Sequence, residues 1–265
     1  MFRALGRRRA VLLLAVAALI TAPGPATATT TTQPLPDGTF IRDVGEGSVY
    51  RIAGGAPIYV SAWAAFGGQQ PYVDISHAQL LTLPEYPTDG TFIRGTATGY
   101  VYRIAGGAPV YVSTWTAFGG PQPTTDVDQV AIQNAGRGGK WNHIRYNPAD
   151  QTFVRGTATG QVYTFAGGAP IYVSNWAAVG GERPAVNVDQ AALDNAGSGG
   201  PYDHVRYYPE QGTPLVTLDN RYWTVGEGVA RRIEPGDFSS TLVDLLAVLN
   251  AGQPGQWSHL IGHVA

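Results

Sequence analysis

Val49-Tyr-Arg-Ile-Ala-Gly-Gly-Ala-Pro-Ile-Tyr-Val-Ser61 holds two short runs of β-branched and aromatic residues joined by a glycine pair. The runs have a roughly alternating character, so each reads as a half-buried strand. Gly54-Gly55 stands where a two-residue hairpin needs positive φ. Pro57 has no amide hydrogen to give to a ladder, which suits a strand start or a sheet edge. The segment returns with few changes at 101–113 and 162–174, where Pro109 and Pro170 take the proline's place. A tryptophan and a glycine pair follow each copy: Trp63 with Gly67-Gly68, Trp115 with Gly119-Gly120, Trp176 with Gly180-Gly181. The stretch is one part of a repeat.

Upstream, Asp37-Gly-Thr-Phe-Ile-Arg42 recurs from Asp89 and from Asp150, at steps of 52 and 61 residues. Downstream, Val127-Asp-Gln-Val-Ala-Ile-Gln-Asn-Ala-Gly136 matches 188–197 and 243–252. This segment predicts a two-turn helix with Val127, Val130 and Ala131 on one face and Gly136 as its stop. Its fourth version, Leu242 to Leu249, is apolar almost all round and is expected to be more deeply buried. Trp141-Asn-His143, Tyr202-Asp-His204 and Trp257-Ser-His259 then follow. The first copy keeps Val73-Asp74 but lacks both the Asn-Ala-Gly turn and the aromatic-x-His element, as terminal copies often depart from consensus.

The expected fold is mostly β with short helices: four tandem units, at about 37–88, 89–149, 150–210 and 211–265. They form a single repeat domain, 37–265, in a propeller-like or closed repeat array. With 44% hydrophobic residues the chain can bury a core, and 35 glycines and 19 prolines favour short strands and many turns.

Residues 1–28 read as a signal peptide. Arg3 and Arg7 to Arg9 form a positive start, Ala10 to Ala22 is an apolar run, and Ala26-Thr-Ala28 offers small residues for cleavage. A Sec route is preferred to a twin-arginine one, and the expected location is extracellular or at the cell surface. The Thr/Pro-rich stretch 29–36 reads as a flexible lead-in. Removing 1–28 takes four of the 17 basic residues and none of the 19 acidic ones, leaving a net charge of −6. Such a surface argues against nucleic acid as a partner, and against a membrane once the signal is gone. No cysteine is present, so neither a disulfide nor a thiol nucleophile enters the reading.

The Asp-Gly-Thr-Phe-x-Arg, Val-Tyr-Arg-Ile-Ala-Gly-Gly-Ala-Pro, Trp and Gly-Gly pattern resembles tandem repeats of secreted, cell-surface-associated proteins of actinobacteria. The resemblance covers about 37–210 well and the remainder loosely. More distantly, the aromatic strand with its Gly-Gly and Ile-Tyr is similar to LGFP-type envelope repeats, although a Leu-Gly-Phe-Pro signature is absent. The resemblance implies a location at the envelope and a binding role, and it brings no catalytic residue.

Asp128 with His143, Asp189 with His204 and Asp244 with His259 recur once per unit. Such spacing could suggest Asp–His or metal sites. Once-per-repeat occurrence is the mark of a structural device, so each His is expected to hydrogen-bond a backbone group within its own unit. His259 and His263 lack the acid that a helical metal site would add, and no metal or other cofactor is expected. No nucleophile elbow appears, and the chain is expected not to be an enzyme. The candidate ligand-binding residues are Tyr59 with Trp63, Tyr111 with Trp115 and Tyr172 with Trp176. Flat rings beside Ser61, Ser113 and Ser174 suit shallow sugar sites joined by avidity. A non-catalytic binder of cell-wall or extracellular glycan is the reading adopted. The alternatives are a secreted hydrolase using unrepeated residues (Glu46, Glu85, Glu182, Glu227, or His77 and His263) and a protein-binding adhesin or inhibitor.

Overall fold

The computed structural model describes residues 34–264; the segment read as a signal and most of the lead-in lie outside the described residues. Leu35, at the end of that lead-in, packs against the first core.

The first unit comprises β1 (Phe40–Asp43), β2 (Val49–Ala53), β3 (Ala56–Tyr59), β4 (Val73–Ile75) and α1 (His77–Leu80). The second comprises β5 (Phe92–Gly95), β6 (Val101–Ala105), β7 (Ala108–Val112), β8 (Thr125–Val127) and α2 (Gln129–Gln133). The third comprises β9 (Phe153–Gly156), β10 (Val162–Ala166), β11 (Ala169–Val173), β12 (Val186–Val188) and α3 (Gln190–Asp194). The fourth comprises β13 (Pro214–Val216), β14 (Tyr222–Gly226), β15 (Val229–Ile233), β16 (Thr241–Leu242), α4 (Leu245–Leu249) and β17 (Gly262–Val264). The protein is a mostly β tandem array of four similar sheets, as the repeat implies, and the described residues form no closed barrel.

Each sheet starts as an antiparallel three-strand meander, and a fourth strand then returns parallel to the first, giving the order β3-β2-β1-β4 in the first unit; in the fourth, β17 adds a fifth strand parallel to β15. Gly54 and Gly55 take φ 56° and 80°, as the hairpin requires, and Pro57 lies on the edge strand. The parallel return strand was not legible as a strand. Val127, expected on the helix, instead ends β8, and the helix begins only after Asp128 caps it. Val130 is consequently 37% exposed, while Ala131 and Ile132 carry the buried face. The fourth helix also departs from expectation. Leu246 and Leu249 are 44% and 45% exposed, because five residues make too little helix to bury more than one face.

Alternation along β2 and β3 turns Tyr50, Ile52 and Tyr59 to one face and Arg51 and Ile58 to the other. Ile58 and Ala53 complete the core of the second unit around Ile93, Ile104 and Ile132. Val110 and Ala105 do the same for the third unit, and Ile171 and Ala166 for the fourth. Each of the first three units thus helps to finish the next unit's core, which is how short sheets gain a hydrophobic interior.

Candidate functional site

The once-per-unit acids and histidines prove to be joints. Asp128 caps α2 through Oδ1, which accepts from the Val130 amide at 2.9 Å. Its Oδ2 accepts from both the amide and the hydroxyl of Ser61, each at 2.6 Å, in the preceding unit. Asp189 holds Ser113 in the same way, and Asp244 holds the Ser174 amide and hydroxyl. The histidines also bond backbone, but across units rather than within their own. The Nδ1–H groups of His143, His204 and His259 donate to the carbonyls of Glu85, Tyr146 and Tyr207 at 3.0, 2.8 and 2.8 Å. A carbonyl can only accept, so this contact fixes the tautomer. Burial pushes all three imidazoles below their ordinary range, which keeps them neutral.

The six candidate aromatics are all half-buried. Tyr59, Tyr111 and Tyr172 each take an edge-on ring from the next unit: Trp141 at 4.8 Å, Tyr202 at 5.1 Å and Trp257 at 4.8 Å. Trp63, Trp115 and Trp176 open the 3-10 turn after the third strand and lean on Phe40, Phe92 and Phe153 at 5.3–5.5 Å. The tyrosines therefore serve the joints on one side. On the other, Tyr59 and Trp63 line an open depression of about 330 Å³ with Ser48, Ser61 and Lys140. Tyr172 and Trp176 line its counterpart of about 250 Å³ in the third unit, with Gln161, Ser174 and Asn175. In the second unit Tyr100 occupies the lip position of Ser48 and Gln161, and its ring packs edge-on against Tyr111 at 5.5 Å.

Sequence reasoning missed two contributors. Lys140 belongs to the second unit but places Nζ 2.7 Å from the Tyr59 hydroxyl and 4.2 Å from that ring's centroid. Tyr100 carries a visible signal: it is a large aromatic where the neighbouring copies have Ser and Gln.

Of the unrepeated residues, His77 donates through Nδ1 to Asp43 Oδ2 at 2.7 Å, while Oδ1 accepts from the Gly45 amide at 2.8 Å. The bond to His77, helped by that amide, holds the Asp43 carboxyl below its usual range; the same bond raises the imidazole. Gly95 and Gly156 replace Asp43 in the next two units, and a side chain there would collide with Gln129 or Gln190, which replace His77. The pair is a coupled exchange confined to the first unit. His263 lies on β17 in the fourth unit, paired with Ala230. Among the described residues no group of three or more His, Asp or Glu could hold a metal ion, and no helix is long and apolar enough to cross a membrane.

Fold and surface together define a tandem-repeat β protein with interlocked units and shallow aromatic depressions. No protein-family model, curated protein or solved structure matches the chain.

Proposed function

We propose that this chain is an exported, non-catalytic repeat protein that binds cell-envelope or extracellular carbohydrate through its repeated aromatic depressions. The observation that carries the reading is the recurrence of one arrangement in units one and three. A Tyr and a Trp four residues apart flank a Ser whose hydroxyl is already tied to a carboxylate. Such a surface offers apolar ring faces to the C–H side of a sugar and polar groups at the lip for its hydroxyls. Each depression is open and small, so each site is weak, and two on one chain gain through avidity on a polymer. A pull-down on purified cell wall and a glycan array test the reading. Trp63→Ala and Trp176→Ala should each lower apparent affinity several-fold, and together by about a hundredfold. Binding to neither cell wall nor any arrayed glycan overturns it.

The Asp43–His77 pair favours a second reading, a hydrolase with its site in the first unit, since an oriented imidazole can act as a base. Among the described residues, His77 has no hydrogen bond to a hydroxyl that could serve as nucleophile. If His77→Ala abolished an activity found by hydrolase screening, this reading would replace the first.

A further inference from the structure

The carbohydrate reading can be made more definite at a place that the repeat does not predict. We propose that the cleft between the second and third units, lined by Tyr100 and Tyr146, binds one ring of a neutral or amino sugar and rejects uronic acids. The cleft holds about 300 Å³, at the small end of the roughly 300–1,000 Å³ of ligand clefts and suited to a short saccharide. Tyr100 and Tyr146 are 42% and 43% exposed. Both rings are braced. Tyr100 rests edge-on against Tyr111 at 5.5 Å, and Tyr146 lies tilted on His204 at 4.9 Å. The His204 bond to the Tyr146 carbonyl fixes the backbone beneath the second ring. Platforms held this way lose little entropy when a ligand stacks on them.

Polar chemistry completes the cleft. Gln133 and Asp203 line it and are exposed, one bringing an amide and the other a carboxylate. An amide and a carboxylate together can donate to and accept from neighbouring hydroxyls, and the carboxylate attracts an amino group. A uronic acid would bring a second negative charge beside Asp203.

No need of the fold explains the two tyrosines. The hairpin that presents Tyr100 is built equally well with Ser48 in the first unit and Gln161 in the third. The position of Tyr146, defined by the histidine bond, is Glu85 one junction earlier and Tyr207 one junction later. Among the described residues, only the middle junction has an aromatic ring at both positions. The site is therefore single, and its occupancy adds to that of the repeated depressions.

This inference rests on the carbohydrate reading, and calorimetric titration of the whole chain separates the two. The probes are chitotriose, maltotriose and trigalacturonate. The wild type should bind one or both of the first two, with trigalacturonate at least tenfold weaker. Tyr100→Ser and Tyr146→Glu copy residues already tolerated in the first unit. Each should weaken binding about tenfold with an unchanged unfolding midpoint, and Asp203→Asn should narrow the gap to trigalacturonate. If Tyr100→Ser binds like wild type while Trp63→Ala and Trp176→Ala do not, the cleft is overturned and the depressions stand. Equal binding of all three probes, or of none at millimolar concentration, also overturns the cleft; the array and the cell-wall pull-down still judge the wider reading.

Discussion

Asp128 and Ser61 belong to different units and are 67 residues apart, yet one carboxylate oxygen takes both the amide and the hydroxyl of the serine at 2.6 Å. The other oxygen caps the next helix. One buried side chain therefore starts a helix and fastens that helix to the preceding sheet. The same arrangement at Asp189 with Ser113 and at Asp244 with Ser174 makes it the recurring fastener of the array.

Removing the fastener should cost more than removing a cap. Asp189→Ala forfeits a cap worth about 0.5–2 kcal/mol and charge-assisted bonds worth about 1.5–3 kcal/mol, so a loss of roughly 2–5 kcal/mol is expected. Ser113→Ala should cost about 1 kcal/mol, because the amide bond to the carboxylate survives. Urea denaturation of both single variants and the double variant measures the coupling, expected at about 0.5–2 kcal/mol. Additive losses would show that Asp189 acts only on its own helix.

The three interlocking histidines, His204 and His259 buried and His143 half-buried, make the joints acid-sensitive. Their folded-state pKa values lie below the ordinary value, mainly through burial, so below about pH 6.5 the unfolded chain binds more protons than the folded one. Their stabilising effect is complete above that pH and declines as the pH falls toward the folded-state values. His77 has the opposite sign. Its pKa is raised, so its contribution is present at low pH and disappears as the pH rises through its folded value. Urea midpoints measured from about pH 7 to pH 4.5 should fall for the wild type. The triple His→Gln variant at 143, 204 and 259 should show a flatter profile, and an unchanged slope would locate the acid sensitivity elsewhere.

How far the sequence revealed all this depends on which distances matter. Gly54-Gly55, Pro57 and the alternating runs gave the meander, because hairpin rules act over a few residues. Val127-Asp128 misled, since a three-residue parallel strand has no periodicity of its own and exists only against β5. The histidines bond backbone, but in the preceding unit and not within their own as the repeat suggests: the partners lie 52 to 58 residues away, where local pattern is silent. The Tyr/Trp spacing picks out residues that line the depressions in units one and three. It could not foretell that Trp141, Tyr202 and Trp257 would cover one side of each tyrosine.

Arg103 illustrates a second kind of packing. Its guanidinium lies 4.9 Å from the Phe92 centroid and 5.2 Å from that of Phe118, and its buried Nε has no polar partner. The third unit has Thr164 and Val179 at the corresponding places, so cation and second ring disappear together. Arg103→Lys should cost about 1 kcal/mol, because a hydrated ammonium cannot stack between the rings. Phe118→Val should cost less in an Arg103→Thr background than in the wild type. Chemical denaturation of the cycle tests this, and independent losses would mean that the two side chains do not act as a unit.

Gly106 and Glu227 share a backbone conformation and differ in what lies above them. Gly106 has φ 56° and Glu227 φ 52°, both in the left-handed region, at the first residue of equivalent hairpin turns. A Cβ at Gly106 would stand 2.7 Å from the Ala149 amide nitrogen, and one at Gly54 would stand 2.9 Å from that of Thr88. The glycine thus serves the close approach of the chain entering the next unit as well as the turn. At Glu227 a side chain fits, leaving only the cost of positive φ, about 1–2 kcal/mol. Gly106→Ala should therefore destabilise by that amount plus about 1–3 kcal/mol of crowding. Glu227→Gly should stabilise by up to about 1 kcal/mol, once the added freedom of the unfolded chain is set against the relieved strain. Thermal and urea unfolding of the two variants should move in opposite directions. A Gly106→Ala loss no larger than the left-handed penalty would show that the neighbouring chain yields, and that the turn alone selects glycine.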